Sequence, residues 1–343
     1  MMRMSRFAGG GYQKGVSIIE TMVALVIGMI AAIVVMQVFS FFEGQRRSTT
    51  SGADAQTNGA IALYSIGRDL QAAGYGLMPA GKDSPLECNP EPSIGALSIS
   101  PVVVTNGATA TDSDVIAIRS GGSAMAGVPT AIRSVAGLTA TVDNNFGCAV
   151  NDTAVLMNHA TCNMTTVTAL PGLVGITLQS AAGAAANVNI ACLGAWVETR
   201  YDVVGNFLRV NGVPTVPGVV NMQAQYGVSA QAQSNVITEW VDASGATWAA
   251  PSVANRNRIK AVRVAIVARS NLLERDIVSN PCSSVTAANP SGVCAWDATT
   301  VNPAAEAPAI DLSNTADWRR YRYRVFETII PLRNMVWSRE AFQ

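Results

Sequence analysis

The side chain best placed to do chemistry is Glu20, a single carboxylate at the head of an uncharged stretch. From Thr21 to Phe42 nothing is charged, and only Thr21, Gln37, Ser40 and Gly28 interrupt a run of Val, Ile, Leu, Met, Ala and Phe. A lone ionised carboxylate at membrane depth costs ~2.5–3.5 kcal/mol or more, so Glu20 calls for a cationic partner. The local alternative is a capping box, with Ser17 as N-cap and Glu20 at the third helical position, where an acid also suits the helix dipole. Other candidate chemistry is thin. His159 is the only histidine, in Asn158-His159-Ala160-Thr161-Cys162, whereas zinc needs four ligands at defined spacing. No Gly-x-Ser-x-Gly elbow supports a histidine-dependent hydrolase. Gly9, Gly10, Gly11 and Lys14 lack the following Ser or Thr of a phosphate-binding loop. Asp112 and Asp114, or Asp143 with Asn144 and Asn145, offer oxygen donors of the kind calcium takes, yet turns ahead of strands explain them better. Neither metal nor cofactor is expected.

The element that positions Glu20 is a long helix. The 22 residues from Thr21 to Phe42 would rise ~33 Å, enough to cross a ~30 Å hydrocarbon layer. Met1 to Gly15 carries Arg3, Arg6 and Lys14 and no acid. A basic segment before an apolar one reads as Sec-type targeting, with the basic end kept in the cytoplasm. The apolar stretch is too long for an ordinary cleaved signal peptide. Arg46 and Arg47 weaken the charge asymmetry and Glu43 offsets one of them, so the favoured orientation is amino terminus inside and everything after about Phe42 outside. The helix should continue through an amphipathic half. No proline occurs between Glu43 and Gly74, while Ala53, Ala60, Leu63, Ile66, Gly67, Leu70 and Ala73 recur at helical spacing. Gly74 and Gly76 supply the stop.

From Leu77 the pattern turns to β. Ser113–Arg119 and Ala131–Val142 read as strands, and Ala195–Val203 meets Phe207–Val210 across Gly205-Asn206 as a hairpin. Val219–Val228, Ile259–Arg269 and Tyr321–Ile330 complete the set, each expected to bury one face in antiparallel sheet. Pro79–Pro92, Ser180–Asn189 and Asn280–Asp317 read as loops. Charged residues are only 13% and the formal net charge is zero, so nothing marks a nucleic-acid surface. Six cysteines in a chain whose bulk lies outside the cytoplasm read as disulfides. Cys282 and Cys294 are close enough to staple the late loop. Cys148 with Cys162 makes a second plausible pair, leaving Cys88 with Cys192.

The stretch KGVSIIETMVALVIGMI resembles the amino-terminal signature of type IV prepilins. That resemblance implies a leader ending at Gly15, cleavage by prepilin peptidase, an N-methylated Val16 and Glu20 as the assembly glutamate. The chain departs from the pattern at Val16, where such mature chains usually begin with Phe, and at Gln37, where major pilins commonly carry proline; a straighter helix is expected. Cleavage would free an ammonium at Val16 for Glu20 of the same or a neighbouring subunit, setting axial register. RDLQAAGYGL (68–77), NMQAQYGV (221–228), the strand 260–270 and YRVFETIIPLRN (323–334) are similar to PilW-type minor pilins, relatives of J-type pseudopilins. The implied fold is α+β, one long amino-terminal helix packed on an antiparallel β domain. Its parts are a leader (1–15), a transmembrane half-helix (16–42), an amphipathic half (43–76) and a β-rich periplasmic domain (77–343). The implied role is structural, not enzymatic: an inner-membrane precursor that joins other minor pilins and the major pilin in a tip complex. Such a complex primes pilus assembly for adhesion and twitching motility and can carry a large adhesin. Two rivals remain: a J-type pseudopilin of type II secretion, less favoured by chain length and the extra cysteines, and a signal-anchored periplasmic enzyme.

Overall fold

The computed structural model describes residues 15–77, 84–109, 111–158, 161–282, 291–296 and 310–335. Two compact units divide the chain, residues 1–50 and 51–343. Helix α1 runs from Ile18 to Ala72. In the first unit its apolar side chains from Ile18 to Phe42 are all exposed, and by length and composition this helix can cross a membrane. In the second unit α1 buries Ala55, Gly59, Ala62, Ile66, Gly67 and Leu70. The expected stripe holds at its end, where Ile66, Gly67, Leu70 and Ala73 are buried, but differs earlier, where Ala53 and Ala60 face outward while Ala55, Gly59 and Ala62 are buried. The helix ends as expected, Gly74 and Gly76 taking positive φ of 73° and 92°, a conformation glycine adopts without a Cβ clash.

The fold is α+β. A ribbon of β1 (Ser93–Ile94) and β2 (Leu97–Ser98) precedes β3 (Val102–Thr105) and β4 (Val115–Ser120). Six strands then close on themselves as a barrel, ordered β10-β5-β6-β9-β8-β7. They are β5 (Thr130–Ala136), β6 (Thr139–Val142), β7 (Thr153–Asn158), β8 (Thr161–Ala169), β9 (Gly175–Leu178) and β10 (Asn189–Gly194). The chain next returns with β11 (Val197–Val204), β12 (Phe207–Val210) and β13 (Val213–Pro217), giving one antiparallel sheet, β13-β12-β11-β4-β3. Then come β14 (Val219–Ser229), β15 (Ile237–Asp242) and β16 (Ile259–Arg269). The short β17 (Gly292–Val293) and β18 (Ile310–Asp311) pair together, and β19 (Tyr323–Pro331) completes the sheet β15-β14-β16-β19.

One core joins α1 to both sheets. Ala62, Ile66 and Leu70 pack with Met222, Val262, Val264 and Ile266 from one sheet and with Val104, Ile116, Tyr201 and Leu208 from the other. Tyr201 reinforces the seat by donating its hydroxyl to Asp69 of α1 at 2.7 Å. Two strand expectations are corrected. Ala131–Val142 is a hairpin rather than one strand, turning at Gly137 with φ of 60°. β14 and β16 are buried almost throughout instead of having one wet face. Their second face is covered by Ala295, Trp296, Ile310 and Leu312, which cluster with Ala265 and Val267. That cover lies within the stretch expected to be only loop. Elsewhere the expected strands form, β16 over the predicted residues and β11–β12 across Gly205 and Asn206, both at positive φ as a type I′ turn requires.

Candidate assembly surfaces

At the helix start, Ser17 is the cap. Its Oγ accepts from the Ile19 backbone N–H at 3.4 Å and its carbonyl accepts from the Glu20 N–H at 3.0 Å. A capping box would add a bond from the Glu20 carboxylate back to the Ser17 N–H. Among the described residues that carboxylate makes no hydrogen bond or ion pair, and the Ser17 hydroxyl serves the Ile19 rather than the Glu20 N–H, so Ser17 caps the helix without a capping box. Gly15 and Val16 are exposed, and a Cβ built on Gly15 would meet nothing within 4 Å. Among the described residues, no packing demands glycine there. Residues 1–14, with the glycine run and Lys14, and His159 lie outside the described residues.

A second surface lies in the 51–343 unit, where β19 is a sheet edge running beside α1. Leu63, Tyr64 and Gly67 of the helix face Phe326, Ile329 and Ile330 of the strand across a shallow groove of about 500 Å³. Tyr64 is 70% exposed and Ile329 54%. The strand can lie close because α1 carries Gly59 opposite the ring of Phe326.

The structure pairs all six cysteines: Cys88–Cys162, Cys148–Cys192 and Cys282–Cys294. The expected Cys148–Cys162 and Cys88–Cys192 pairs are thus exchanged, because the barrel wall separates them. Cys192 and Cys148 belong to the cluster inside the barrel, with Leu156 and Ile190. Cys162 packs outside it, with Leu86 and Met157 of a third cluster. A cysteine on one face of a sheet cannot reach across to one on the other.

The oxygen-rich turns are occupied by the fold. Asp112 accepts from the Thr109 N–H and hydroxyl, and Asp143 pairs with Arg133. Asp114 is buried and accepts from the backbone N–H groups of Gly107 (2.8 Å) and Ala224 (2.7 Å). Burial outweighs those two bonds and raises its pKa to about 6. Sequence reasoning also passed over Arg263. Its guanidinium lies 5.1 Å from the ring of Trp240 and 4.4 Å from that of Trp296, while Nε donates to Gln225 at 2.7 Å. Desolvation lowers its pKa to about 10. The stacked rings fix Trp296, two residues past Cys294, onto the β14–β16 sheet. No short-range pattern signals this, since the three residues are far apart in the chain.

No curated protein matches this chain. Among solved structures, a type IV-like pilin from Thermus thermophilus is similar with a TM-score of 0.36 and 10% identity, covering 82% of this chain and 97% of that one. A sequence model of the family described as Type IV Pilus-assembly protein W matches residues 193–334. That match spans β11 to β19, including the three strand motifs noted in the sequence, so residues 193–334 carry the PilW family pattern.

Proposed function

We propose that the chain is a minor pilin of the type IV pilus, a structural subunit and not an enzyme, which helps prime assembly and sits in the tip complex. On this reading it is made as an inner-membrane precursor with its amino terminus in the cytoplasm and its β domain in the periplasm. Prepilin peptidase removes residues 1–15 and Val16 is N-methylated. Other minor pilins and the major pilin are its partners, and a large adhesin is a further one. The observation that carries the reading is the Glu20 carboxylate, without a partner among the described residues, at the head of the apolar stretch of α1 that is exposed from Ile18 to Phe42. A charge so placed needs a cation supplied from outside the fold, and the new ammonium at Val16 of this or an adjacent subunit supplies it. The open space around Gly15 fits a glycine required by a protease rather than by packing.

The amino-terminal mass of the protein recovered from membranes and pili tests this. Loss of residues 1–15 is expected, and a bulky Gly15→Leu change should abolish it. Glu20→Ala should leave processing intact and lower incorporation into filaments. Retention of the leader alongside a working peptidase would overturn the reading. Lost exoprotein secretion with normal pili, on deleting the gene, would move the chain to type II secretion.

A further inference from the structure

The barrel stands apart from the rest of the 51–343 unit in three ways. It is an insertion, because β4 and β11 pair directly with each other (Ser120 with Val197), so residues 121–196 leave and return at one point. It has its own core, from Ile132 and Val142 through Leu156 and Ile176 to Ile190. The PilW match begins at Leu193, one residue after the disulfide-bonded Cys192 of β10. What the barrel does is therefore not accounted for by the family pattern.

One end of the barrel exposes large apolar side chains. Phe146 is 70% exposed, Leu173 69%, Val128 58%, Met125 48% and Val174 46%. The segments that carry them are tied together. Asn145, itself buried, donates its backbone N–H to Leu173 O at 3.1 Å and its Nδ2 to Gly172 O and Gly175 O at 3.0 and 2.9 Å. Ser123 Oγ donates to Gly147 O at 3.1 Å, and a Cβ on Gly147 would sit 3.2 Å from that of Met125. The Cys148–Cys192 disulfide anchors the same loop to the barrel wall. Side chains that merely failed to find a core would sit on loose loops; these are held out by a cross-linked frame. Exposed apolar surface that is rigid and contiguous marks a contact site. At this end Asp143 and Arg133 neutralise each other and the Asp152 carboxylate is engaged by the Ala149 N–H at 2.7 Å, so the surface these five side chains fit is apolar.

Size selects among occupants. Five such side chains, each about half exposed, offer on the order of 400–500 Å². A free-standing dimer or complex buries about 800 Å² on each partner, so this patch alone is too small to hold a second copy. We infer that this end of the barrel docks an apolar patch on a neighbouring, different subunit of the assembly, one that also grips the chain elsewhere. The inference rests on the pilin reading above.

The test is a full-length, chromosomal Phe146→Ser/Leu173→Ser double variant. Leu138→Ser is the control, since Leu138 is also an exposed apolar residue, at 51%, but lies at the far end of β6 from Val174. Leader removal, membrane level and surface pili are measured for each. The double variant should be processed and accumulate normally while surface pili fall at least tenfold, and the control should match wild type. Should the double variant fail to accumulate, Phe146→Glu is read in its place by the same assays. Unchanged pili in the processed variant would overturn the inference. So would self-association of the detergent-solubilised chain, or binding to phosphatidylethanolamine–phosphatidylglycerol vesicles, that disappears with Phe146 and Leu173. Pili indifferent to deletion of the whole gene would overturn the pilin reading itself, and this inference with it.

Discussion

Replacing Gly59 by alanine tests how α1 is seated on the edge strand. A Cβ at that position would overlap Cε2 and Cδ2 of Phe326 and lie 2.9 Å from its Cζ, where carbon atoms normally stand ~3.5–4.0 Å apart. β19 cannot retreat as a whole, because it is paired with β16 from Tyr323 to Pro331. The ring must swing out instead, and crowding of this kind costs about 1–3 kcal/mol. Alanine in place of glycine inside a helix returns about 1 kcal/mol. The net expectation is a loss of up to about 2 kcal/mol, a fall in Tm of up to roughly 4 °C for a chain of this size. With Phe326→Ala in the background the clash vanishes and only the helix gain remains. There Gly59→Ala should raise Tm by roughly 1–2 °C. Thermal unfolding of the detergent-solubilised full chain, followed by near-ultraviolet circular dichroism, reads all four proteins. The reversal of sign is the diagnostic result. If Gly59→Ala stabilises the protein with Phe326 present, the ring does not occupy the space left by the missing Cβ, and the close seat of helix on strand is refuted.

Three further outcomes follow from the structure. Non-reducing proteolysis and mass spectrometry should recover Cys88 linked to Cys162 and Cys148 linked to Cys192; fragments joining Cys148 to Cys162 would show that the barrel wall does not separate them. Losing the Cys148–Cys192 link through paired serines should cost about 2–5 kcal/mol. Asp114, with its pKa raised to about 6 by burial and by nearby Asp242, makes the folded state hold a proton that the unfolded chain has already released. Stability therefore falls as pH rises from about 4 through about 6, by up to ~3 kcal/mol. Comparing Tm across that range, Asp114→Asn should flatten the slope, and an unchanged slope would refute the assignment.

The parts of the fold legible from sequence are those whose signal is local. Ile259–Arg269 is recognisable because β-branched residues alternate along it, and the β11–β12 turn because Gly205-Asn206 tolerates positive φ at both positions. Periodicity fails where a strand is covered twice. Nothing near Ala265 and Val267 announces that Trp296 and Ile310 will lie on them. It fails again in the barrel, whose strands are short and rich in threonine, alanine and asparagine, and whose inner face is defined only by closure of β10 on β5 and β7. The candidate site divides in the same way. Glu20 stands out because one charge interrupts the environment a membrane imposes. Phe146 and Leu173 look like any core residues until the barrel that excludes them is drawn.

The Gly-Tyr-Gly that ends the helix shows how one local signal hides a second role. As a stop it needs only positive φ, and any helix C-cap would serve. Here the same residues are also the socket of the barrel. Gly121 N–H donates to Tyr75 O at 2.7 Å, and Gly122 and Ser123 donate to Leu193 O at 2.9 and 3.0 Å. A Cβ on Gly127 would collide with the Gly76 carbonyl, and one on Gly121 with that of Leu193. Backbone is packed on backbone at this joint, so side chains are excluded for steric reasons that the helix stop alone would not impose. The Tyr75 hydroxyl then reaches Ser123 O at 3.2 Å, two residues before Met125 of the apolar patch. The short motif that closes α1 therefore also fixes where the barrel presents Met125, and with it Phe146 and Leu173, so changes at Gly76 or Gly127 bear on docking as much as on the helix end.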